Sequence, residues 1–394
     1  MTRVAILSPA ADLGGAERSL LTFLKAAQGH TISTTILLPR GGPLCDELSD
    51  LGVSWQVVSM PPALLRLSRQ KRTNSLPTLI KIIYQGPSYL FRLIKALSRI
   101  SPEVIYTNGI KSHILGALLR PLLGVGLVWH LRDHWGGTLV GRLSDSGPNR
   151  IIVNSRSTAR NLQKFMRKPG KVVVIYNAVD LEEFSPDGPA VVLSARRSGF
   201  KVGLPAVFAR WKGHSLLLRA ASRILSEFPS TRFFFIGAPI YDTVGEEGYA
   251  DELHRLVLRE DLADCVIFTG FQKRMAPWYR AMDVVVNASI RPEPFGRTLL
   301  EAMACGRAVV GPNAGGIPEF VQHGENGLLY EMGNAETLAE AVLTLLRDPA
   351  LRERLGRAGR EKAARFAPGP YAEAITQILT QAAFLRFSLS SRNY

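Results

Sequence analysis

Two glutamates, Glu293 and Glu301, stand on either side of the run Pro294-Phe295-Gly296. A buried-strand pattern at residues 283–287 precedes them, and a helical pattern begins near Gly296. At such a strand-to-helix turn the first amides of the helix have no intrahelical acceptor, and the positive end of the helix dipole attracts an anion. One carboxylate before the helix and one a turn inside it therefore indicate a binding site for an anionic ligand.

The start of this helix supplies the polar backbone of the predicted site. Its first amides belong to Gly296, Arg297 and Thr298, and the glycine lets a ligand approach the backbone closely. Each glutamate also has a structural alternative. Glu301 with Thr298 fits the capping-box pattern, in which the carboxylate bonds a backbone amide, and Glu293 fits a solvated loop carboxylate. The two glutamates together, around one turn, favour the ligand site.

The same alternation of strand and helix runs along the whole chain. In the helix that begins near Gly296, apolar residues recur at helical spacing, and Gly306 ends the helix. These apolar residues are Leu299, Leu300, Met303 and Ala304. Short apolar strands are expected at residues 3–8, 34–38, 53–58, 104–107, 126–130, 151–154, 172–175, 204–208, 232–237, 266–269, 308–310 and 327–330. Strands interleaved with helices predict an α/β fold with parallel sheets.

The length of 394 residues predicts two domains rather than one. Turn-forming and acidic residues concentrate between Tyr176 and Pro189, where the strand and helix pattern is interrupted. The prediction is therefore a first domain over residues 1–185, a second over residues 186–368, and a final helix over residues 369–394.

Two further turns carry candidate binding residues. Gly14 and Gly15 separate a strand from a helix, so the backbone there can come close to a bound group, although such a pair is often only a turn. Arg210 and Lys212 stand at the start of another helix, where two cations oppose the dipole. An anion between them, such as a diphosphate, would remove that conflict.

A polar run follows the predicted strand at residues 126–130. Because ligands bind at the carboxyl ends of parallel strands, His130 is a candidate site residue and His134 a weaker one. A structural role is the commoner one for a lone histidine. Arg132 and Asp133 either touch the ligand or pair with each other.

The run from Glu293 to Glu301, with the later turn Gly315-Gly316-Ile317-Pro318-Glu319, resembles the large retaining glycosyltransferase family 4. The resemblance implies the GT-B fold, in which two Rossmann-like domains face a central cleft and a final helix crosses back to the first domain. It also implies that Glu301 holds the ribose hydroxyls of a nucleotide sugar and that Glu293 contacts the hydroxyls of the transferred sugar. The backbone that would hold sugar and phosphate is that of Phe295, Gly296, Arg297 and Thr298.

The resemblance assigns roles to the other candidates as well. Gly14 and Gly15 would face the donor diphosphate and the acceptor, and His130 would face the donor sugar. The nucleotide base would lie against the backbone at Gly270. Arg210 and Lys212 would bind the diphosphate, but the family commonly separates these two cations by several positions, whereas only Trp211 intervenes here.

The net charge of +15 is concentrated in the first half, where residues 1–190 hold 23 Lys and Arg against 12 Asp and Glu. No acid occurs between Asp50 and Glu103, and the predicted membrane-binding segment 61–101 holds eight bases, Arg66, Arg69, Lys71, Arg72, Lys81, Arg92, Lys95 and Arg99. Such a basic amphipathic segment favours an anionic membrane, and a solvated helix face is an equal alternative. Because its apolar residues are mostly aliphatic, nucleic acid is not expected as a partner.

Other features limit the location and the cofactors. No apolar run approaches the ~18 residues that span a bilayer, and the N-terminus lacks a signal-peptide pattern. The expectation is a cytoplasmic protein, either free or peripheral on the inner membrane face. Cys45, Cys265 and Cys305 are scattered, which predicts reduced thiols, and no Asp-x-Asp or histidine cluster suggests a metal. No cofactor is expected besides the donor substrate, a UDP- or GDP-sugar.

The sequence thus predicts a metal-independent retaining glycosyltransferase. Its expected catalytic residues are Glu293 and His130, and its expected acceptor is a lipid-linked or cell-surface glycan of the capsule, lipopolysaccharide or exopolysaccharide type. Two alternatives remain open. One is a glycosyltransferase for a small soluble acceptor, and the other is a non-catalytic basic protein that binds membrane or nucleic acid.

Overall fold

The computed structural model describes residues 1–65, 76–193, 199–239 and 246–390, without the side chains of residues 76–83 and 386–390. The chain divides into two compact units. Unit 1 comprises Met1–Ala178 and Pro368–Tyr394, and unit 2 comprises Val179–Ala367. Each unit is built around its own parallel sheet, as the alternation of strands and helices predicted.

Unit 1 has a seven-stranded sheet with α-helices on both faces. Its strands are β1 (Thr2–Leu7), β2 (Ile32–Leu38), β3 (Ser54–Val57), β4 (Val104–Thr107), β5 (Gly126–Leu131), β6 (Arg150–Val153) and β7 (Val172–Val174). Its helices are α1 (Gly15–Ala26), α2 (Pro43–Asp50), α3 (Pro62–Leu65), α4 (Leu76–Ile100), α5 (Ile110–Leu123), α6 (Thr138–Ser146) and α7 (Arg156–Gln163). All pairs are parallel, in the order β3-β2-β1-β4-β5-β6-β7.

Unit 2 has a six-stranded parallel sheet in the order β10-β9-β8-β11-β12-β13. Its strands are β8 (Lys201–Pro205), β9 (Arg232–Ile236), β10 (Val266–Gly270), β11 (Val284–Val286), β12 (Ala308–Pro312) and β13 (Leu328–Tyr330). Its helices are α8 (His214–Glu227), α9 (Tyr249–Arg259), α10 (Ala276–Ala281), α11 (Arg297–Ala304), α12 (Ala335–Arg347) and α13 (Pro349–Ala364). The last helix of the chain, α14 (Pro368–Ser390), belongs to unit 1, where it packs on β5 and α1.

The apolar residues of these elements form three cores. In unit 1 one cluster joins the sheet to α1, α2 and α14, and another joins the opposite face to α4, α5 and α7. In unit 2 a large cluster joins the sheet to α8, α9 and α12. Strands such as β4, β5 and β12 are buried along their whole length, which is why they contain runs of apolar residues without a polar face.

The segment that joins the two sheets lies with unit 2 from Val179 onward, whereas the sequence placed the first boundary at residue 185. The guanidinium of Arg360 donates to the carbonyls of Leu181 and Phe184, and that of Arg280 donates to the carbonyl of Ser185. These side chains satisfy the carbonyls of a segment without regular structure, and they fix it to unit 2.

The strand expected at residues 204–208 lies earlier, as β8. Beyond Pro205 the amides of Ala206 and Phe208 bond to the carbonyls of Ile236 and Ala238, which continues the parallel pairing with β9 in the same register. Of the predicted membrane-binding segment 61–101, residues 66–75 lie outside the described residues.

Candidate donor site in unit 2 and polar cluster in unit 1

In unit 2 the strand order reverses between β8 and β11, which are neighbours in the sheet although they are distant in sequence. At such a switch point the loops after the two strands leave in opposite directions and open a crevice for a ligand. The loop after β8 contains Arg210 and Lys212, and the loop after β11 contains Glu293. The topology therefore brings together residues that lie some eighty positions apart.

Lys212 and Glu293 form an ion pair in this crevice, with 2.6 Å between Lys212 Nζ and Glu293 Oε1. Ser289 Oγ donates a second hydrogen bond to the same carboxylate oxygen. Glu293 is 7% exposed, and burial alone would raise its pKa, but the Lys212 ammonium and the hydrogen bonds from Ser289 and Asn287 hold the pKa below its ordinary value. Glu293 is therefore an ionised, buried carboxylate and not the solvated loop residue of the structural alternative.

Close backbone packing places Lys212 beside this carboxylate. Residues 210–212 form a short 3-10 turn, and Gly213 follows with a φ of +71°. A Cβ on Gly213 would lie 1.8 Å from the carbonyl oxygen of Ala288, and the amide of Ile290 donates to the carbonyl of Trp211 at 2.9 Å. The loop after β8 is thus packed directly on the loop after β11.

The glycine pair Gly315-Gly316 supports the other side of Glu293. The amide of Gly316 donates to the Glu293 carbonyl at 2.8 Å. A Cβ on Gly315, which has a φ of +69°, would lie 2.2 Å from that carbonyl oxygen, and one on Gly316 would lie 2.4 Å from the carbonyl oxygen of Pro294. No larger residue fits either place without moving the chain that carries Glu293.

Helix α11 begins directly after this loop, as the sequence predicted. Gly296 is its N-cap, with a φ of +97°, and a Cβ there would meet the side chain of Ile317 at 2.6 Å. Arg297 and Thr298 are half-buried in the first turn. The side chain of Phe295 is only 2% exposed and packs on Phe320, so this residue can offer a ligand its backbone but not its ring.

Glu301 lies one turn inside α11 and is 5% exposed. Arg297 Nε donates to its Oε1 at 2.6 Å, and the hydroxyl of Tyr279 donates to its Oε2 at 2.8 Å. This carboxylate is held by two side chains, and the capping box with Thr298 is not its arrangement, because the N-cap of α11 is Gly296 and not Thr298. Tyr279 lies on α10 and was not predicted as a site residue. Nothing in the sequence around it indicates its contact with Glu301.

Arg210 and Lys212 have separate acidic partners in this structure. The guanidinium of Arg210 contacts Glu252 and Glu246 and lies 5.0 Å from the ring centroid of Tyr249. The backbone amide of Arg210 also donates to Glu246, at 2.6 Å. Lys212 is placed beside the predicted sugar-binding glutamate, whereas Arg210 is directed to α9 and the residues just before it.

Gly270 ends the edge strand β10, away from this cluster in the strand order. It has a φ of +71° and nothing within 4 Å of a Cβ built on it, so its backbone is open on that side. It lies at the carboxyl end of β10, where its role toward a nucleotide base stays a prediction.

In unit 1 the strand order reverses between β1 and β4, and Gly14 and Gly15 follow β1 there. Gly14 is the N-cap of α1, and its amide donates to the carboxylate of Glu17 at 3.2 Å. Burial raises the pKa of Glu17 to about 7, although its own first-turn amide, Arg132 and the Gly14 amide lower it. A buried carboxyl group that titrates near neutrality therefore lies directly under the glycine turn.

His130 is fully buried within β5. Its Nδ1 bonds the hydroxyl of Tyr106 and lies 3.2 Å from Nη2 of Arg132. Burial, together with the charges of Arg132 and His113, lowers the pKa of His130 well below its ordinary value, so the ring is neutral. His134 lies on the loop after β5, half-buried, with its Nε2 3.2 Å from Ser157 Oγ. His130 does not reach the surface of unit 1, so any effect it has on a ligand passes through its neighbours.

Arg132 is the centre of a polar cluster whose extent the sequence did not indicate. Its guanidinium donates to Asn108 at 2.9 Å, to Ser19 at 2.5 Å, to Asn177 at 2.8 Å and to Tyr371 at 3.4 Å. These partners come from α1, α14 and the ends of β4 and β7. The one feature of the sequence that indicated this cluster was the position of Arg132, a charged residue directly after the buried strand β5.

Among the residues that the structure describes, no group of three or more His, Cys, Asp and Glu side chains is placed to hold a metal ion. All three cysteines are free and buried. Over the same described residues, no helix is both long enough and apolar enough to cross a membrane.

The fold is shared with glycosyltransferases of the GT-B class. The structure of Anabaena HepE in complex with UDP-glucose superimposes with a TM-score of 0.81 at 23% identity, covering 97% of this chain and 100% of HepE. Two parallel-sheet α/β units are the architecture that defines this class, which is the fold that the sequence predicted.

The sequence comparisons give the family. The family model described as Glycosyltransferase Family 4 matches residues 13–183, and the one described as Glycosyl transferases group 1 matches residues 197–362. The chain belongs to this glycosyltransferase family, as its motifs indicated.

Curated relatives match more than half of this chain. The D-inositol 3-phosphate glycosyltransferase of Streptomyces bingchenggensis is 31% identical over 249 residues, 59% of this chain and 53% of the relative. Spore coat protein SA of Bacillus subtilis is 31% identical over 212 residues, 51% of this chain and 56% of the relative. The chain thus spans about half the length of the curated relatives it matches.

Proposed function

We propose that this protein transfers a sugar from a nucleotide-diphosphate sugar, with UDP or GDP as the nucleotide, to an acceptor hydroxyl. The observation that carries the proposal is the pair of buried carboxylates around the start of α11. Glu293 is held by Lys212 at 2.6 Å, and Glu301 is held by Arg297 and Tyr279. Buried carboxylates fixed by partners accept hydrogen bonds from hydroxyl groups, and a sugar and a ribose each present several.

The same place suits a diphosphate. The Lys212 ammonium contacts Glu293, and α11 begins four residues after Glu293 in the chain, so both the ammonium and the first amides of the helix would stabilise the charge that develops when the diphosphate leaves. In this proposal Lys212 is shared between Glu293 and the diphosphate when the donor binds. The reaction needs no metal ion in this scheme, because the ammonium and the helix amides hold the leaving group.

We further propose that the sugar is transferred with retention. The acceptor oxygen forms its bond to the anomeric carbon on the face from which the carbon–oxygen bond to the diphosphate breaks. The acceptor proton passes to an oxygen of the leaving diphosphate, so that no nucleophilic side chain is required. Glu293 orients the sugar through its hydroxyl groups, and unit 1 binds the acceptor, with His130 acting through Tyr106 and Arg132.

The acceptor is proposed to be a lipid-linked or cell-surface glycan, because the whole net positive charge belongs to unit 1. Unit 1 holds 25 Lys and Arg against nine Asp and Glu, whereas unit 2 holds 23 against 24. A strongly basic acceptor domain attracts the phosphates of a lipid-linked glycan and of a membrane surface. The second candidate is a small phosphorylated acceptor, which the names of the D-inositol 3-phosphate glycosyltransferases favour.

Thermal-shift screening against UDP- and GDP-sugars in EDTA tests the donor, and UDP-glucose is the first to try because HepE was crystallised with it. A donor that stabilises the protein is then incubated with candidate acceptors, and the anomeric configuration of the product is read by NMR. A product of inverted configuration, or a strict need for a divalent ion, would contradict this scheme. Absence of any response to nucleotide sugars would favour the non-catalytic alternative.

A further inference from the structure

The outer face of α5 is a continuous apolar stripe. Ile114, Leu118 and Leu122 recur every four residues and are 40%, 55% and 63% exposed. Pro121 beside them is exposed as well. Residues four apart lie on one face of a helix, so these side chains form a ridge that unit 1 does not bury. Single exposed leucines are ordinary, but an ordered row of them indicates a binding surface.

The neighbouring helix α4 adds aromatic and basic side chains. Tyr84 is 79% exposed and Phe91 is 66% exposed, and after them along the helix Arg92, Lys95 and Arg99 are exposed. Helices α4 and α5 pack on each other and on the same face of the sheet, where their buried leucines belong to one core. Their exposed sides therefore point away from the sheet in the same direction and form one surface, here named the docking face.

The charge of the docking face selects its partner. It carries three exposed cations on α4, and the chain contains no acid from residue 51 to residue 102. A second copy of the same face would bring like charges together, which opposes self-association. A bilayer with anionic headgroups can instead bind the leucines, the aromatic residues and the cations of this face. The leucines would enter the acyl region, the aromatic rings would lie at the headgroup level, and the cations would contact the lipid phosphates.

We propose that the docking face, formed by the exposed sides of α4 and α5, binds the surface of an anionic lipid membrane. The basic segment 61–101 was expected to do so from its charge, and the apolar anchor on α5 lies outside that segment. Docking by this face is independent of sugar transfer. It would place unit 1 at the surface where a lipid-linked acceptor is found.

Co-sedimentation of the full chain with vesicles tests the proposal. Vesicles of phosphatidylcholine alone are compared with vesicles that also contain phosphatidylglycerol, and we expect binding only to the latter, weakening as salt is added. The variant Leu118→Ser/Leu122→Ser should bind roughly tenfold more weakly because it loses apolar burial. Lys95→Gln/Arg99→Gln should lose about fivefold per cation removed.

Matched controls separate docking from general damage. Leu258→Ser changes a leucine that is 69% exposed on unit 2, and Arg219→Gln changes an exposed cation there, so both should bind vesicles like the unaltered protein. Donor binding in solution, measured on the same preparations, should be equal in all variants.

Several results would overturn the proposal. They are equal binding to neutral and anionic vesicles, unchanged binding of Leu118→Ser/Leu122→Ser, or light scattering that shows a dimer broken by this variant without vesicle binding. If the unaltered protein binds the donor but does not bind vesicles, the membrane proposal is wrong and the proposed function is unaffected. If the unaltered protein binds anionic vesicles but no nucleotide sugar, the proposed function is wrong and the membrane proposal is unaffected.

Discussion

Lys212 and Glu293 stabilise each other, and neither could be buried alone without a large electrostatic cost. The glutamate is 7% exposed, and the two charged atoms are 2.6 Å apart. A buried carboxylate that loses its cation must either take up a proton or remain unpaired, and both outcomes destabilise the fold. The pair therefore has a structural role in addition to its proposed role in donor binding.

A double-mutant cycle measures this coupling. Lys212→Met should lower the free energy of unfolding by about 3 kcal/mol, because it leaves the carboxylate unpaired. Lys212→Met/Glu293→Gln should cost much less than the sum of the two single changes. Since the pKa of Glu293 is lowered in the folded protein, the stability it provides is present above about pH 4.5 and is lost as the pH falls.

The pair Lys201 and Asp283 is the control for this cycle. Its charged atoms are 3.8 Å apart and both side chains are 30% exposed, so its coupling should stay below about 1 kcal/mol. Equal coupling in the two pairs would contradict a special role for Lys212 and Glu293.

Glu17 should make stability depend on pH in the opposite direction. Its pKa is raised from 4.5 to about 7, chiefly by burial, so the folded protein binds a proton that the unfolded chain releases. The free energy of unfolding should therefore fall as the pH rises from 4.5 to 7, by up to about 3 kcal/mol.

The variant Glu17→Gln should remove this dependence, because the amide oxygen can still accept from Gly14 but carries no titrating proton. Urea unfolding of the two proteins between pH 5 and pH 8 provides the comparison. Parallel pH profiles would show that Glu17 keeps an ordinary pKa in the folded protein.

At the residue scale, the sequence could name most candidates but not their partners. Glu293, Glu301 and Lys212 are recognisable from motifs within a few residues of each. Tyr279 and Tyr371 make their contacts across 22 and 239 positions of sequence, to Glu301 and Arg132. His130 fits the pattern of β5 whether its ring is buried or exposed, so its environment depends on distant neighbours such as Tyr106 on β4 and the helix α14.

At the scale of elements, two loops and a glycine turn hold the donor site. The loop after β11 carries Glu293, and Gly315-Gly316, after β12, lies directly on it. A strand-to-helix loop without regular hydrogen bonding keeps its shape through such backbone contacts. The turn is therefore expected to fix the position of the carboxylate.

Gly315→Ala tests this expectation. Its Cβ would lie 2.2 Å from the Glu293 carbonyl oxygen at a φ of +69°, so we expect a loss of stability of about 3 kcal/mol or more, with weaker donor binding. Gly324→Ala is the control, because its φ of +77° is similar and nothing lies within 4 Å of the added carbon. That variant should lose only about 1–2 kcal/mol and bind the donor normally. Equal losses in both variants would mean that backbone strain alone, without the contact to Glu293, explains the effect.

The sequence predicted these elements well where hydrophobic pattern decides them. α11 lies between Gly296 and Gly306, and both α11 and β12 consist mainly of apolar residues, so their type is fixed locally. The bounds of β8 were less predictable, because they depend on its pairing with β9, which is distant in sequence. The placement of residues 179–185 depends in the same way on Arg280 and Arg360.

At the scale of the whole molecule, charge is divided between the two units. Unit 1 has an excess of basic residues and unit 2 is close to neutral. Two of the cations of unit 2, Lys212 and Arg297, are paired with the buried carboxylates of Glu293 and Glu301. The division fits one unit that binds a hydroxyl-rich donor and another that approaches anionic surfaces.

The proposed function requires the carboxylates around α11 to bind a nucleotide sugar. Isothermal titration of the donor nucleotide in EDTA tests it most directly, with the unaltered protein, Glu301→Gln, and Glu325→Gln as an exposed control in the same unit. A charged hydrogen bond is worth roughly 1.5–3 kcal/mol, so Glu301→Gln should bind about 10- to 100-fold more weakly, and Glu325→Gln should match the unaltered protein. Binding of UDP and GDP that is equally strong in Glu301→Gln would contradict this requirement.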